Sequence, residues 1–291
     1  MQQPRASCWL STPPKEPQRQ LSHQQFAVAV RNRLNLLPLP RGLPDACICS
    51  AKLDANTHPS HLHWCKTVRS SGCTLRHNTV VNTVVALARA AGLAPVVEPR
   101  ALPKTSDKGE PPKRPDIMLY GTTDTLLVDV SLMHPLSPSY VSTHPKNDKD
   151  GTNHEQRIIR DREARKRRKY APLAAKHDNG KVMPFVLDAY GAFGAGADDL
   201  IRWLAMAAVS NGCVARDAEY REMAYAWLAI AVQRGNGQLV DRNVSFVRAV
   251  LGKRKTDAEV PRRRASLRRG RQSANTVPSR LYSRLYNGSD R

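Results

Sequence analysis

The sequence predicts an α/β fold with a mixed sheet flanked by helices. Four apolar runs have strand length and are bounded by Gly, Pro or Asp: 94–98, 117–120, 126–133 and 182–190. Apolar residues at helical spacing predict a helix at 78–91, and a basic helix is expected at 156–170. The resulting order of one helix, three strands, a helix and a strand is typical of an α/β core.

Further helices are expected on either side of this core. Four apolar residues recur at helical spacing from Phe26 to Leu37, and Pro38 and Pro40 end that segment. Two amphipathic helices are expected at 197–210 and 216–234, and a third at 239–251. The predicted divisions are a disordered lead-in at 1–22, a helix with a Cys/His module at 23–75, the core at 76–195, C-terminal helices at 196–251 and a disordered basic tail at 252–291.

The charge of the chain indicates which class of partner it binds. The formal net charge is +21 at neutral pH and the isoelectric point is near 10.2. A surface this positive attracts polyanions, of which nucleic acid is the commonest. The segment 252–291 holds 12 Lys and Arg against 3 Asp and Glu, as expected for non-specific phosphate binding or a nuclear-localisation signal. Neither a membrane span nor a secretion signal is expected, and we predict a nuclear protein.

A cluster of cysteine and histidine predicts a zinc site. Thiolate and imidazole are the donors that zinc prefers, and four of them in a tetrahedron would order a loop too short for a core of its own. The best tetrad is Cys47, Cys49, His61 and Cys65, with His58 as the alternative to His61. The competing interpretation is a histidine-rich loop whose thiols do not bind a metal.

Two aspartates on neighbouring predicted strands are candidates for a second metal site. Asp116 follows a proline at the start of one strand, and Asp129 interrupts the apolar run of the next. A charge inside such a run is costly to bury unless a metal or a cation pairs with it. Carboxylates bind Mg²⁺ or Mn²⁺, and a metal so held promotes phosphodiester hydrolysis. The alternative is that each aspartate is an ordinary turn or cap residue.

The basic helix supplies the remaining candidates. Its cations would bind a DNA backbone, or simply form a solvated face; they are Arg157, Arg160, Arg165, Lys166, Arg168 and Lys169. Nucleases of this kind carry a lysine two residues after the second carboxylate, where this chain has Ser131. We expect Lys166 or Lys169 to occupy the space beside Ser131, and the spacing does not separate the two lysines.

The order of these signals resembles a known family. The matching segments are Cys47-Ile-Cys49, His61-Leu-His-Trp-Cys65, Arg76-His77-Asn78, Glu98-Pro99, Arg114-Pro115-Asp116, Leu127-Val-Asp-Val130, Lys169-Tyr170 and Gln233-Arg-Gly-Asn236. Together they resemble the C-terminal region of R2-like non-LTR retrotransposon polyproteins. In that family a zinc knuckle precedes a restriction-like endonuclease of the PD-(D/E)XK superfamily, and the resemblance spans roughly residues 26–250.

The resemblance implies a nuclease that nicks target DNA with a divalent metal so that reverse transcription is primed. Asp116 and Asp129 would be its acidic pair, its lysine would lie on the helix that ends in Lys169-Tyr170, and Glu98, Tyr170 and Arg114 would be accessory residues. The expected partners are DNA, the element's RNA and a reverse transcriptase acting in cis or in trans. The rival expectations are a zinc-containing nucleic-acid-binding relic that does not cut, and a basic protein similar to an RNA coat protein.

Overall fold

The computed structural model describes residues 7–39, 42–54, 59–99, 114–143 and 154–274. The helices are α1 Cys8–Ser11, α2 His23–Arg33, α3 His61–Trp64, α4 Arg69–Ala90, α5 Pro138–Thr143, α6 His154–Ala174, α7 Ala195–Ser210 and α8 Asp217–Ala274, with one 3₁₀ turn at Pro17–Arg19. The strands are β1 Val96–Val97, β2 Ile117–Tyr120, β3 Thr125–Met133 and β4 Gly180–Asp188. The chain divides into two compact units, Met1–Ser245 and Phe246–Arg291.

The strands form one mixed sheet in the order β1-β2-β3-β4, so the predicted mixed α/β fold is confirmed. β1, β2 and β3 pair antiparallel, whereas β3 and β4 pair parallel. Parallel strands need a crossover connection, and α6 lies in the connection between β3 and β4. β3 is therefore flanked by a strand on each side, which explains why its residues are almost all buried.

Helices cover both faces of the sheet. Even-numbered residues of β3, such as Leu126 and Val128, pack in the main core with apolar residues of α4, α7 and α8. Odd-numbered residues of β3 face the other way, since side chains alternate along a strand. Leu127 and Met133 pack with α6 residues in two smaller clusters. The α6 face is where the polar residues of β3 lie.

The strand and helix boundaries differ in places from those expected. β1 is shorter than the predicted 94–98: it comprises Val96 and Val97, and Glu98 after it adopts a φ of 43°. The helices expected at 216–234 and 239–251 are one continuous helix. Its interior glycines allow close packing: a Cβ on Gly235 would lie 2.8 Å from Cγ of Arg76 in α4, and one on Gly237 would lie 2.8 Å from Cγ of Gln25 in α2.

The two predicted disordered segments also differ from expectation. Within 7–22 the chain forms α1, in which Trp9 is buried against Ala229 and Ile230, so this part of the lead-in is ordered. Arg234 donates to backbone carbonyls of Pro17 and Gln20, which fixes the next turn. The tail expected at 252–291 is helical as far as Ala274, and the rest of it lies outside the described residues.

Across the described part of the chain, no helix is both long and apolar enough to cross a membrane.

Candidate functional site

Asp116 and Asp129 lie side by side at one end of the sheet. At this end of the sheet, the last residue pairs of the two ladders are Val97 with Ile117 and Ile117 with Val128. Extended by one residue, the same register places Asp116 opposite Asp129 and Glu98 opposite Asp116, and the Glu98 N–H does donate to the Asp116 carbonyl at 2.9 Å. Residues directly opposite share a face, with about 4.5–5.5 Å between their Cβ atoms. The pairing of β2 and β3 therefore places Asp116 and Asp129 at neighbouring backbone positions.

Asp116 completes the end of this ladder. Pro115 has no N–H with which to continue the pairing. The Val130 N–H of β3 donates to Asp116 Oδ2 at 2.6 Å instead, and His77 Nε2 of α4 lies 3.2 Å from the same oxygen. The hydrogen bond with Asp116 is the main cause that raises the pKa of His77, and burial opposes it. Both contacts use Oδ2, and Oδ1 has no hydrogen-bond partner among the residues that the structure describes.

Asp129 is 3% exposed and forms an ion pair with Lys166 of α6. A carboxylate in such a position is costly unless it is paired, and the ammonium satisfies it. Lys166 therefore contacts one of the two predicted carboxylates. Lys169 instead donates to the Tyr170 hydroxyl at 2.7 Å.

Side chains of α6 contact side chains of β3 at regular intervals, because four residues of a helix and two residues of a strand have nearly the same length. Four residues of helix rise about 6.0 Å, and two residues of strand rise about 6.6 Å. Residues at intervals of four along α6 accordingly meet alternate residues of β3 in reverse order: Ile158 shares an apolar cluster with Met133, Arg162 contacts Ser131, Lys166 contacts Asp129, and Tyr170 shares a cluster with Leu127. As a result, Arg162 and Lys166 of α6 contact the polar residues Ser131 and Asp129 of β3.

The space beside Ser131 is taken by an arginine, not by the lysine that we expected. Arg162 Nε donates to Ser131 Oγ at 2.8 Å, and the same guanidinium donates to the Tyr140 hydroxyl of α5. Its Cζ lies 5.9 Å from the centre of the Tyr140 ring. Ser131 therefore accepts a hydrogen bond that positions Arg162, and the cation at this place comes from α6 instead of from β3.

Of the three predicted accessory residues, Tyr170 lies beside the carboxylates, whereas the side chains of Arg114 and Glu98 are exposed. The buried Tyr170 hydroxyl donates to the Arg114 carbonyl at 2.6 Å, so Arg114 contributes its backbone and its side chain is exposed. Burial, followed by hydrogen bonding and charge from Asp129, raises the pKa of Tyr170 above its ordinary range. Tyr170 is therefore a neutral donor beside the carboxylates. Glu98 lies at the end of the row of acidic residues and is exposed.

The other predicted DNA-binding residues lie on the outer side of α6. Arg160, Arg165 and Arg168 are exposed, and Arg157 is half-buried. The structure therefore divides the basic helix into an exposed basic surface and two inward cations, Arg162 and Lys166.

The predicted zinc tetrad forms a cluster that could bind a metal such as zinc. The ligand atoms of Cys47, Cys49, His61 and Cys65 all lie within 4.8 Å of one another. Cys65 Sγ lies 3.8 Å from Cys47 Sγ and 3.7 Å from Cys49 Sγ, and Cys49 Sγ lies 3.3 Å from His61 Nε2. Tetrahedral zinc with bonds of about 2.3 Å to sulfur separates two sulfurs by about 3.8 Å. The donor set and its spacing fit zinc, while the alternative ligand His58 lies outside the described residues.

Local structure explains this cluster. The Ala46–Lys52 bridge closes a tight turn in which Ser50 has a φ of 70°, and this turn presents Cys47 and Cys49. His61 begins α3 and Cys65 ends it. Burial favours the thiol of Cys65, but hydrogen bonds from the backbone N–H groups of the next residues lower its pKa. Burial raises the pKa of Cys47 to about 12, so binding of a cation there would release a proton.

A cavity of about 540 Å³ is lined by residues of α3, α4, β3, α5 and α6. Trp64 of α3 and His77 of α4 line it, as do Ser131 of β3, Tyr140 of α5 and Arg162 of α6. The two half-buried aromatic side chains and the arginine thus face one space.

Two buried histidines, one in α3 and one directly after β3, also line this cavity. His63 and His134 are both at most 3% exposed, and their rings lie 5.3 Å apart. Burial is the main cause that lowers the pKa of His63, to about 3, and burial likewise lowers that of His134. Both imidazoles are therefore neutral at physiological pH. Arg76 of α4 lines the same cavity and donates to the Asn236 side chain of α8 at 3.3 Å.

Sequence reasoning did not assign a role to Arg162, Tyr140 or His134. Arg162 could have been found, because it lies four residues before Lys166 and shares its helix face. Tyr140 and His134 carry no such local signal, since α5 and the end of β3 meet α6 only through the tertiary fold.

No protein-family model matches this chain, and no curated protein matches it either.

Proposed function

We propose that this chain is a divalent-metal-dependent DNA endonuclease with a PD-(D/E)XK-type core, derived from a non-LTR retrotransposon. The observation that carries the proposal is the meeting of Asp116, Asp129 and Lys166 at one end of the sheet. Each residue comes from a different element, and each belongs to the minimal set for metal-assisted cleavage of a phosphodiester.

The acidic pair suits a hard divalent cation. Mg²⁺ and Mn²⁺ take oxygen ligands, and carboxylates at neighbouring positions of adjacent strands would supply such oxygens. Asp116 would bind through Oδ1, which its present contacts leave available, while Val130 and His77 hold Oδ2. A bound Mg²⁺ supplies charge neutralisation of the phosphate and activation of water.

The surrounding residues would position the carboxylates and the phosphate. Lys166 lies against Asp129, and its ammonium would also stabilise the charge on a phosphate bound there. Tyr170 is a neutral donor held in place by Arg114. The exposed arginines of α6 would hold the DNA backbone, in keeping with the net charge of +21.

A specific observation favours the rival function, a nucleic-acid-binding protein that does not cut. Both carboxylates already have protein partners, since Lys166 neutralises Asp129 and two groups hold Asp116. A relic of a nuclease could keep the zinc module and the basic surface while an internal cation replaces the metal. Such a protein would bind DNA in a salt-sensitive way with or without Mg²⁺.

The distinguishing experiment is nicking of supercoiled plasmid. With Mg²⁺ the wild type is expected to convert supercoiled to open-circular DNA, and Asp116→Asn is expected to lose this activity by at least about 100-fold, since a lost metal ligand removes several kcal/mol of transition-state stabilisation. The matched control is Asp199→Asn, which removes an exposed carboxylate of α7 whose partner is Arg202. Equal nicking by all three proteins would refute the assignment, and no nicking with retained DNA binding would support the rival.

The biological setting is also part of the proposal. A retrotransposon nuclease acts on chromosomal DNA, so we propose nuclear residence, with the element's RNA and a reverse transcriptase as partners in cis or in trans. The basic composition of residues 252–291 supports this setting.

A further inference from the structure

We propose that the cavity lined by residues of α3, α4, β3, α5 and α6 binds one unstacked nucleotide of the DNA strand, next to the phosphate that is cut. This inference rests on the proposed function and deepens it, because it requires a strand with one base out of its stack. The cavity volume of about 540 Å³ lies within the usual range of ligand pockets, roughly 300–1,000 Å³.

The charge of the cavity selects an anion. Arg76, Arg162 and Lys166 line it, and none of its described lining residues is Asp or Glu. Arg162 is the best placed of the three for a phosphate. Ser131 and Tyr140 fix its guanidinium from two sides, and a planar fork fixed in this way suits phosphate oxygens.

The aromatic walls suit a nucleobase. Trp64 and Tyr140 are each half-buried, and they reach the cavity from different elements, α3 and α5. Base stacking on an aromatic side chain does not depend on sequence and contributes about 1–3 kcal/mol per base. An anion site beside two aromatic rings is the combination that a nucleotide requires, and a free phosphate would not use the rings.

Buried imidazoles supply hydrogen-bonding groups without partners. Neither ring nitrogen of His63, nor Nδ1 of His134, has a hydrogen-bond partner among the described residues. Buried polar atoms are usually satisfied, so a pair of such side chains on one cavity indicates a polar ligand. The edge of a base offers the donors and acceptors that these nitrogens can pair with.

The cavity is continuous with the acidic pair. Val130 and His77 contact Asp116, Lys166 contacts Asp129, and all three line the cavity. A nucleotide in the cavity would therefore place its neighbouring phosphate at the carboxylates. Enzymes that act on an extruded base prefer single-stranded or mismatched DNA, because unstacking then costs less.

The test is calorimetric titration without divalent metal, with deoxyadenosine 5′-monophosphate as the probe. We expect it to bind the wild type at least about 5-fold more tightly than deoxyribose 5-phosphate, which lacks the base, and than deoxyadenosine, which lacks the phosphate. Equal affinity for the nucleotide and for deoxyribose 5-phosphate would overturn the proposal, as would the absence of nucleotide binding at millimolar concentration.

Variants of Arg162 and Tyr140 test which residue binds the phosphate and which binds the base. Arg162→Gln is expected to weaken nucleotide binding about 10-fold, while Arg162→Lys keeps the charge and loses less. Tyr140→Leu should reduce nucleotide affinity to that of deoxyribose 5-phosphate, whereas Tyr140→Phe keeps the ring and the base preference. Melting temperatures near that of the wild type show that each variant is folded.

The control is Arg89→Gln, which makes the same charge change on an exposed arginine of α4 about 20 Å along the helix from Arg76. It should leave nucleotide binding unchanged, and a loss equal to that of Arg162→Gln would contradict a specific site. If the nuclease function were wrong but the nucleotide site correct, nucleotide binding would persist while plasmid nicking is absent.

Discussion

Removal of zinc should unfold the segment that contains the cysteine cluster and lower the stability of the whole chain. The four ligands come from a turn and from a single helical turn, α3, which has too few apolar residues to fold alone. The free energy of zinc binding in such modules is mostly folding free energy, about 10–16 kcal/mol in isolated zinc-finger peptides. Part of it should appear here, because Leu62 of α3 is buried and its carbonyl accepts a hydrogen bond from Asn243 of α8.

The measurement is zinc content together with thermal unfolding. The wild type should carry about one zinc per chain, and Cys65→Ser or a strong chelator should release it and lower the melting temperature by roughly 10 °C or more. Cys213→Ser is the matched control, since Cys213 is an exposed free thiol outside the cluster. Equal zinc content and equal melting of Cys65→Ser and the wild type would show that the cluster does not bind the metal.

The change Asp129→Asn should abolish cleavage while DNA binding stays the same or strengthens. Asparagine keeps the shape of the side chain but removes the charge that holds the metal, and a loss of several kcal/mol of transition-state stabilisation lowers the nicking rate by about 10³-fold. In the absence of metal a carboxylate repels phosphate, so its loss should raise DNA affinity modestly. A protein that only binds DNA would have no nicking activity for this change to remove.

A second variant separates catalysis from folding. Asp129→Asn leaves the Lys166 ammonium partly buried without its carboxylate, which should lower the melting temperature. Replacing both residues, as Asp129→Asn with Lys166→Met, should restore stability without restoring cleavage, because the apolar side chain removes the unpaired charge. Cleavage that returned together with stability would mean that Asp129 has only a structural role.

The sequence predicted the elements that local patterns determine. β2 has the bounds expected from its apolar run, and β3 begins one residue earlier than expected. The bounds could be predicted closely because each apolar run is flanked by residues that disfavour a strand. The four residues of the cysteine cluster could also be chosen in advance, since thiols and imidazoles concentrated in one short segment indicate a metal site. The adjacency of Asp116 and Asp129 followed from the order of the strands.

What the sequence did not reveal depends on packing between distant elements. Separate helices were expected at 216–234 and 239–251, but Gly235 between them lies against Arg76 and the helix continues. Ser131 suggested a displaced lysine, and only the match between α6 and β3 shows that Arg162 meets Ser131 while Lys166 meets Asp129. A helix periodicity alone does not give the register of that helix on a strand.

The most direct measurement is Mn²⁺ binding to the zinc-loaded protein, followed by electron paramagnetic resonance. We expect a Mn²⁺ site in the wild type that is lost when Asp116 and Asp129 are both changed to Asn, and that persists in Asp199→Asn. Lys166→Met should bind Mn²⁺ more tightly, because the ammonium no longer competes for Asp129. Equal Mn²⁺ binding by the wild type and the double variant would contradict the central claim that this acidic pair holds the catalytic metal.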